Sequence, residues 1–367
     1  MERLMQSGKM SPKGKQVQHI PATSRDVARL AGVSQPTVSR ALRGKHGVAD
    51  KTLQRIQEAA AALGYVPSQL GRGLSTRSTR RIGIIAAELT NPFYPQLIEP
   101  LHDQFERAGF RSVLFAERED NRVVFSDLVD GLLDGVVLLT TLLDSPLPEA
   151  LSARGLPFVF LNRRNYQIEG DAVVVDNVYG GALVADLLVE LGHRRIGAVF
   201  GSQNTSTGSE REKGFRERLA EHGLQLARDV TPHGDFSCAA GTSGMSTVLD
   251  AAKPPTAVFC ANDVLAIGAL NEATRRGVRV PDDVTVVGFD DISLASWSRF
   301  DLTTVHCDLL SLATIAADLL LQRIADPERM HTQVIRRPEL VLRGSHAPLS
   351  APVVKRRAPA RPTKIGS

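Results

Sequence analysis

Polar side chains that could bind a ligand or take part in catalysis recur directly after apolar runs of this sequence. The apolar runs alternate with helical stretches, which is typical of parallel strands covered by helices on both faces. In open parallel sheets, ligands bind at the carboxyl ends of the strands. Singly, these residues could be turn or cap residues, but their recurrence at one end of several strands favours a site. They are Asn91, Asn162, Asn262, Asp263, Asp290 and Asp291.

An enzyme would use the three aspartates as paired carboxylates, but no nucleophile–base set accompanies them. The loop GSQNTSTGSE (201–210) lacks the lysine of a phosphate-cradling loop. The nine histidines are scattered without zinc-ligand spacing, and the three cysteines are far apart, as buried thiols in a reducing compartment would be. We therefore expect a protein that is not an enzyme, with no catalytic residues, no metal site and no cofactor.

The chain has 367 residues, enough for two or three domains. It contains no apolar run of the ~18 residues that a membrane span needs. Its basic N-terminus has no apolar signal region, so we expect a cytoplasmic protein that does not bind membranes. Met10 is an alternative translation start to Met1.

Charge is distributed unevenly along the chain. Residues 1–81 hold 15 Lys and Arg against 4 Asp and Glu, residues 82–349 hold 24 against 36, and residues 350–367 hold 5 and no acid. A basic head on an acidic body is typical of a nucleic-acid-binding module joined to a second domain.

Three short helices are predicted between residues 23 and 64. Thr23 or Ser24 would cap the first, Ser34 the second and Asp50 the third, while Gly32 and Gly64 end the first and third. Because the spacer between the first two helices has only four residues, the pattern predicts a helix-turn-helix.

The remainder of the chain repeats itself weakly. The tetrapeptide RRIG opens a unit at 80–83 and another at 194–197, and Gly-Phe follows each, at 109–110 and 214–215. Two similar α/β halves predict two lobes with a cleft between them.

The sequence resembles the lactose-repressor/galactose-repressor family of bacterial transcription regulators from about residue 23 to 345. The motifs that carry the resemblance are DVARLAGVS, TVSRAL, YVPSQLGRGL, NPFY, VVVDNVYGG, ELGHRRIG, FCANDVLAIGAL, GVRVPDDVTVVGFDD and LTTVHCD. It implies a homodimer that binds double-stranded operator DNA, one helix-turn-helix per half-site. It also implies a periplasmic-binding-protein-like core of two doubly wound lobes, which binds a small effector such as a sugar, a sugar acid or a related metabolite. The effector would change the affinity for DNA, and the bound protein would be associated with the nucleoid.

The second helix would read the operator in the major groove. With Ser34 as N-cap, Gln35 and Pro36 occupy the first turn, where the missing N–H of proline costs little. Gln35 can bond adenine and Arg40 can bond guanine in the bidentate manner, whereas Pro36 offers only an apolar face where the family usually has a base-reading side chain. The predicted DNA contacts are Thr23, Ser34, Gln35, Pro36, Thr37, Ser39, Arg40, Arg43, Arg72 and Leu74.

The last two of these belong to a hinge helix that the resemblance implies at Gly71–Leu74. Leu74 matches a leucine that wedges between base steps in the minor groove. Because Gly71 and Gly73 each lower helix propensity by roughly 1 kcal/mol relative to alanine, we predict a hinge that is disordered without DNA.

Matching the cleft residues of the family one by one gives a candidate effector set. Arg163 and Arg164, directly after one of them, hint at an anionic effector. The identity of the effector stays open, as does whether it releases or promotes DNA binding. The set is Asn91, Phe93, Tyr94, Asn162, Arg211, Asn262 and Asp290.

The predicted fold is an all-α helix-turn-helix head followed by an α/β core. We interpret the protein as a sequence-specific transcriptional repressor whose DNA binding is controlled by an effector. The alternative is a solute-binding or carbohydrate-processing protein that uses the same cleft. The predicted domains are a disordered basic tail (1–20), the helix-turn-helix (21–66), the hinge (67–79), the two-lobed effector-binding and dimerisation core (80–345) and a second disordered basic tail (346–367).

Overall fold

The computed structural model describes residues 22–42, 48–65, 78–117 and 132–349, and they fall into two compact units that divide between residues 65 and 78. Arg43, Arg72, Leu74, most of the predicted hinge and the tail residues 1–20 and 350–367 lie outside the described residues. No helix within the described ranges is long and apolar enough to cross a membrane.

The first unit is a bundle of three helices. A capping box begins α1, in which the backbone N–H and the hydroxyl of Thr23 both donate to Asp26. Gly32 ends α1 in the left-handed conformation (φ 62°), which turns the chain within two residues towards α2. The helices are α1 (Ser24–Ala31), α2 (Gln35–Ala41) and α3 (Asp50–Ala62).

The core of this unit contains residues from all three helices. Val27, Val38 and Ile56 are fully buried, whereas Leu30 is 57% exposed. Alanine at position 28 is buried instead, because the second and third helices pack against that side of α1. The third helix begins one residue earlier than predicted, with Ala49 rather than Asp50 as its N-cap.

The second unit contains two parallel sheets, each with the apolar strands that the sequence predicted. The first sheet has the order β10-β5-β4-β3-β1-β2, and the second has the order β6-β7-β8 beside an antiparallel pair, β9 and β11. The strands are β1 (Arg81–Ala87), β2 (Arg111–Glu117), β3 (Gly135–Leu138), β4 (Phe158–Leu161), β5 (Asp171–Val175), β6 (Ile196–Val199), β7 (Ala257–Cys260), β8 (Thr285–Val287), β9 (Thr304–His306), β10 (Gln333–Arg336) and β11 (Glu339–Val341).

Helices cover these sheets and complete two lobes, as the repeated α/β pattern predicted. The chain passes between the lobes three times, after β5, after β9 and after β10, so that α10 and β10 return to the first lobe. The helices are α4 (Phe93–Arg107), α5 (Leu147–Ala153), α6 (Asn177–Glu190), α7 (Ser206–Glu221), α8 (Cys238–Leu249), α9 (Asp263–Arg275) and α10 (Leu309–Ala325).

Two glycines let α6 and α7 approach closely enough to place a buried arginine. A Cβ on Gly214 would lie 1.9 Å from the carbonyl oxygen of Val178, and a Cβ on Gly181 would lie 2.4 Å from that of Arg211. Such distances are far inside van der Waals contact, so only glycine fits at this crossing. The close packing holds the backbone of Arg211 against α6.

Hydrogen bonds extend the second unit slightly beyond its predicted limits. Asp134 accepts from the backbone N–H groups of Thr79 (2.6 Å) and Arg80 (2.9 Å), so residues 78–80 are bound to the first lobe. At the other end, the N–H of Leu349 donates to the carbonyl of Leu191 (2.8 Å). Residues 346–349, which were predicted to belong to the tail, are therefore bonded to the second unit.

Candidate functional sites

The candidate DNA-reading surface lies at the start of α2, where the sequence placed it. Gln35 is the first helical residue and Pro36 the second, so the proline occupies the first turn, where its missing N–H leaves no helical bond unmade. The side chains of Gln35, Pro36 and Arg40 are exposed, and those of Thr37 and Ser39 are half-buried.

The first turns of α1 and α2 lie side by side. The amide Nε2 of Gln35 donates to the hydroxyl of Ser24 at 3.3 Å, which places it next to the exposed Thr23. Ser34 does not cap the helix through its side chain, because its hydroxyl bonds the hydroxyl of Thr37 at 2.8 Å. Polar groups from two helix N-termini are thus available on one surface, the arrangement that binds phosphates.

A cavity lies between the two lobes of the second unit, and all seven predicted effector residues line it. Its empty volume is about 240 Å³. The residues that line it are Asn91, Phe93, Tyr94, Asn162, Arg163, Thr207, Arg211, Phe236, Asn262 and Asp290.

The lining residues come from the carboxyl ends of parallel strands, as the general rule for such sheets requires. Asn91 follows β1 and Asn162 follows β4 in the first lobe, whereas Asn262 follows β7 and Asp290 follows β8 in the second. Asn162 (φ 71°) and Asp290 (φ 110°) both lie in the left-handed region, which asparagine and aspartate adopt more readily than most residues.

Several lining residues also have structural roles. The Oδ1 of Asn262 accepts from the N–H of Leu265 (2.8 Å) and so caps α9, which the sequence had suggested as an alternative role. The Oδ1 of Asn91 accepts from the N–H of Phe93 (3.0 Å), and its Nδ2 donates to the carbonyl of Phe236 in the other lobe (3.5 Å). These bonds hold the amides at the cavity wall.

Arg211 organises the wall contributed by the second lobe. Its guanidinium donates to the Oδ1 of Asn177 (2.9 Å), the carbonyl of Ala261 (2.7 Å) and the Oδ1 of Asp290 (2.7 Å), and it lies over the ring of Phe289 at 3.8 Å. Burial raises the pKa of Asp290, and the nearby charge of Arg211 opposes that rise.

The other two aspartates that follow apolar runs, Asp263 and Asp291, do not line the cavity. The carboxylate of Asp291 pairs with Arg343 (2.6 Å) and His306 (2.9 Å), outside the cavity. Asp263 is fully buried, accepts from the hydroxyl of Thr304, and has a pKa well above its usual range because burial disfavours its charge. Of the three carboxylates, Asp290 alone lines the cavity, so the geometry does not present a pair for acid–base catalysis.

Three lining residues were not in the candidate effector set: Arg163, which the sequence indicated only as a hint of an anionic effector, and Thr207 and Phe236. Thr207 lies in the first turn of α7, and Phe236 lies in the segment before α8. Neither follows an apolar strand, so the strand-end pattern could not indicate them, and only the folding of the second lobe brings them to the cavity.

Polar contacts bridge the lobes beside the cavity. The Oε1 of Glu210, on the second lobe, accepts from Arg164 (3.0 Å) and from the hydroxyl of Tyr166 (2.6 Å), both on the first lobe. Asn204 donates through its Nδ2 to Asp144 (2.8 Å) and accepts through its carbonyl from the N–H of Leu143 (3.0 Å). The lobes are therefore held closed by bonds that separation would break.

A helix-turn-helix unit, followed by a two-lobed core with a polar cavity between its lobes, defines the class of ligand-controlled DNA-binding regulators. Residues 23–68 match the family described as bacterial regulatory proteins, lacI family, and residues 185–346 match a periplasmic binding protein-like domain. The HTH-type transcriptional repressor PurR of Photobacterium profundum is 32% identical over 329 residues, which cover 88% of this chain and 98% of that protein. The chain belongs to the LacI family of transcriptional regulators.

Solved structures support the same assignment. The transcriptional regulator CelR in complex with cellobiose is 31% identical, with a TM-score of 0.69 over 88% of this chain and 99% of that one. The lac repressor dimer bound to operator and the anti-inducer ONPF is 25% identical, with a TM-score of 0.78 over 89% of this chain and 99% of that one. The predicted fold class is confirmed.

Proposed function

We propose that this protein is an operator-binding repressor, homodimeric and cytoplasmic, whose DNA affinity is set by a small hydroxylated effector in the cavity between the lobes. The observation that carries the proposal is the convergence of all seven predicted effector residues on one cavity, in a chain that also has a helix-turn-helix. The relative bound to cellobiose supports an effector of the sugar class.

The cavity residues suit a ligand with several hydroxyl groups. Asn91, Asn162 and Asn262 offer amide donors and acceptors, Thr207 offers a hydroxyl, and the ring of Phe93 or Tyr94 offers an apolar wall. Burial raises the pKa of Tyr94 to about 12, so its hydroxyl remains a neutral donor and acceptor at physiological pH.

The hydrogen bonds and ion pairs between the lobes provide a way for the effector to control DNA affinity. An effector that touches both lobes favours one lobe arrangement over another in proportion to its differential affinity for the two. Contacts such as Glu210 with Arg164 and Tyr166 form in the closed arrangement. We propose that the equilibrium between lobe arrangements changes the affinity of the helix-turn-helix for DNA. The proposed DNA contacts are Thr23, Ser34, Gln35, Pro36, Thr37, Ser39, Arg40, Arg43, Arg72 and Leu74.

The test is binding of the full chain to near-palindromic duplexes at several salt concentrations, with a scrambled duplex as control. A repressor that neutralises many phosphates loses affinity steeply as salt rises, and it prefers the palindrome throughout. Adding sugars or sugar acids to the same assay should shift the affinity for the palindrome and leave the scrambled duplex unaffected. Equal affinity for both duplexes in every ligand state would favour the solute-binding alternative.

A further inference from the structure

Arg163 is a buried cation that is not in direct contact with any carboxylate of the described residues, although its charge acts on Asp290 across the cavity. The residue is 4% exposed and lines the cavity. Its guanidinium carbon lies 5.4 Å from the centre of the Phe236 ring, and its Nε is enclosed with no hydrogen-bond partner. In the parts of the chain that the structure describes, its side chain makes no ion pair within 4 Å.

The Nε of Arg164 also has no hydrogen-bond partner, but Arg164 and Arg211 differ from Arg163 because each forms an ion pair. Arg211 pairs with Asp290, and Arg164 pairs with Glu210. The two consecutive arginines, which looked equivalent in the sequence, therefore have separate environments: Arg164 joins the lobes, and Arg163 faces the cavity. The cavity lining contains two arginines, Arg163 and Arg211, and one carboxylate, Asp290, so it carries one net positive charge.

Burying a charge without a partner is costly, so proteins rarely keep one unless something binds it. A guanidinium presents a planar set of donors that matches a carboxylate or a phosphate in the bidentate manner. The asparagines and Thr207 around Arg163 add groups that bond hydroxyls.

We propose that the effector carries an anionic group, a carboxylate or a phosphate ester, that Arg163 binds while the surrounding amides bind its hydroxyl groups. This inference rests on the proposed function of the cavity and narrows it to sugar acids or sugar phosphates over neutral sugars.

The first measurement is thermal unfolding of the full chain as wild type, Arg163→Gln and Arg299→Gln. Arg299 is an exposed arginine of the same unit and serves as the matched control. The probes are inorganic phosphate, formate, D-gluconate and D-glucose 6-phosphate, with D-glucose and sodium chloride at equal ionic strength as references. We expect at least one anion to raise the Tm of wild type and Arg299→Gln, with a tenfold or greater loss of apparent affinity in Arg163→Gln.

Comparing the phosphate probes with the carboxylate probes identifies the anionic group of the effector. Stronger stabilisation by phosphate and glucose 6-phosphate indicates a phosphate ester, and stronger stabilisation by formate and gluconate indicates a carboxylate. If no anion stabilises wild type more than Arg163→Gln, the inference is wrong.

The second measurement needs no ligand. Removing a buried charge that forms no ion pair relieves its desolvation cost, so Arg163→Met should unfold at the same temperature as the ligand-free wild type or higher. A Tm several degrees lower would show that Arg163 is a structural residue and would overturn the inference.

Operator binding by the same proteins separates this inference from the proposed function. If neutral glucose shifts operator affinity equally in wild type and Arg163→Gln while the anions do not, the protein is an effector-controlled regulator and the anionic effector is wrong. If the palindrome is never preferred, the proposed function itself fails.

Discussion

The Nη2 of Arg211 donates to the Oδ1 of Asp290 at 2.7 Å, and the two side chains are only 4% and 6% exposed. The pair joins α7 to the segment after β8, two elements of the second lobe that are far apart in the chain. It also forms part of the cavity wall, so we expect stability and ligand binding to depend on the same contact.

Replacing Asp290 by Asn should destabilise the core, because it leaves the buried charge of Arg211 unpaired. We expect the free energy of unfolding to fall by about 3–5 kcal/mol, measured by denaturant titration of the core transition. Asp318→Asn, at an exposed position of α10, is the control and should stay within about 0.5 kcal/mol of wild type. The double variant Arg211→Met/Asp290→Asn should lose less than the sum of the two single variants; strict additivity would mean that the pair is not coupled.

Replacing Gln35 by Ala should relax operator preference at one base pair. A bidentate glutamine–adenine contact is worth about 1–3 kcal/mol of discrimination, and Gln35 is exposed at the first helical position. Binding to a library of operators mutated one base pair at a time measures this preference. Gln57→Ala, an exposed glutamine of α3, should leave the profile unchanged. An unchanged profile in Gln35→Ala as well would remove Gln35 from the readout.

Replacing Thr23 by Ala should weaken α1 more than replacing Ser34 by Ala weakens α2. Thr23 takes part in a capping box with Asp26, whereas Ser34 makes no side-chain cap. Losing a cap costs about 0.5–2 kcal/mol. Amide hydrogen exchange at the start of each helix measures the loss, and equal protection in the two variants would contradict this reading of the caps.

Titration of Tyr166 should report the contact between the lobes. Burial, followed by the hydrogen bond to Glu210, raises the pKa of Tyr166 from 10.0 to about 12. Because the pKa is raised in the folded state, the stabilisation from this contact is complete below pH 10 and is lost as the pH rises towards 12. The contribution is small, since Tyr166 is 55% exposed.

The measurement for Tyr166 is an absorbance titration of tyrosinate, with the curve of Tyr166→Phe subtracted from that of wild type to isolate this residue. In Glu210→Gln the titration should move only part of the way back towards pH 10, because burial, the larger cause of the raised pKa, remains. A titration that stays in place would show that Glu210 does not contact Tyr166.

The helix-turn-helix and the positions of the strands could be predicted from the sequence because their signals are local. Caps, glycine stops and the place of Pro36 indicate where α1 and α2 begin, and apolar runs indicate strands such as β1 and β2. The seven cavity residues could be named because most of them follow strands, and the family resemblance supplied the rest.

The tertiary structure decided what no local pattern contains. Thr207 and Phe236 reach the cavity only because the second lobe folds around it, and Leu30 is exposed because its neighbours pack against the other side of α1. Above all, Arg163 and Arg164 are adjacent and identical in type, yet Arg164 forms an ion pair with Glu210 and Arg163 forms none within 4 Å among the described residues. Whether a charge is compensated depends on residues distant in the chain, and those are brought into contact only by the fold.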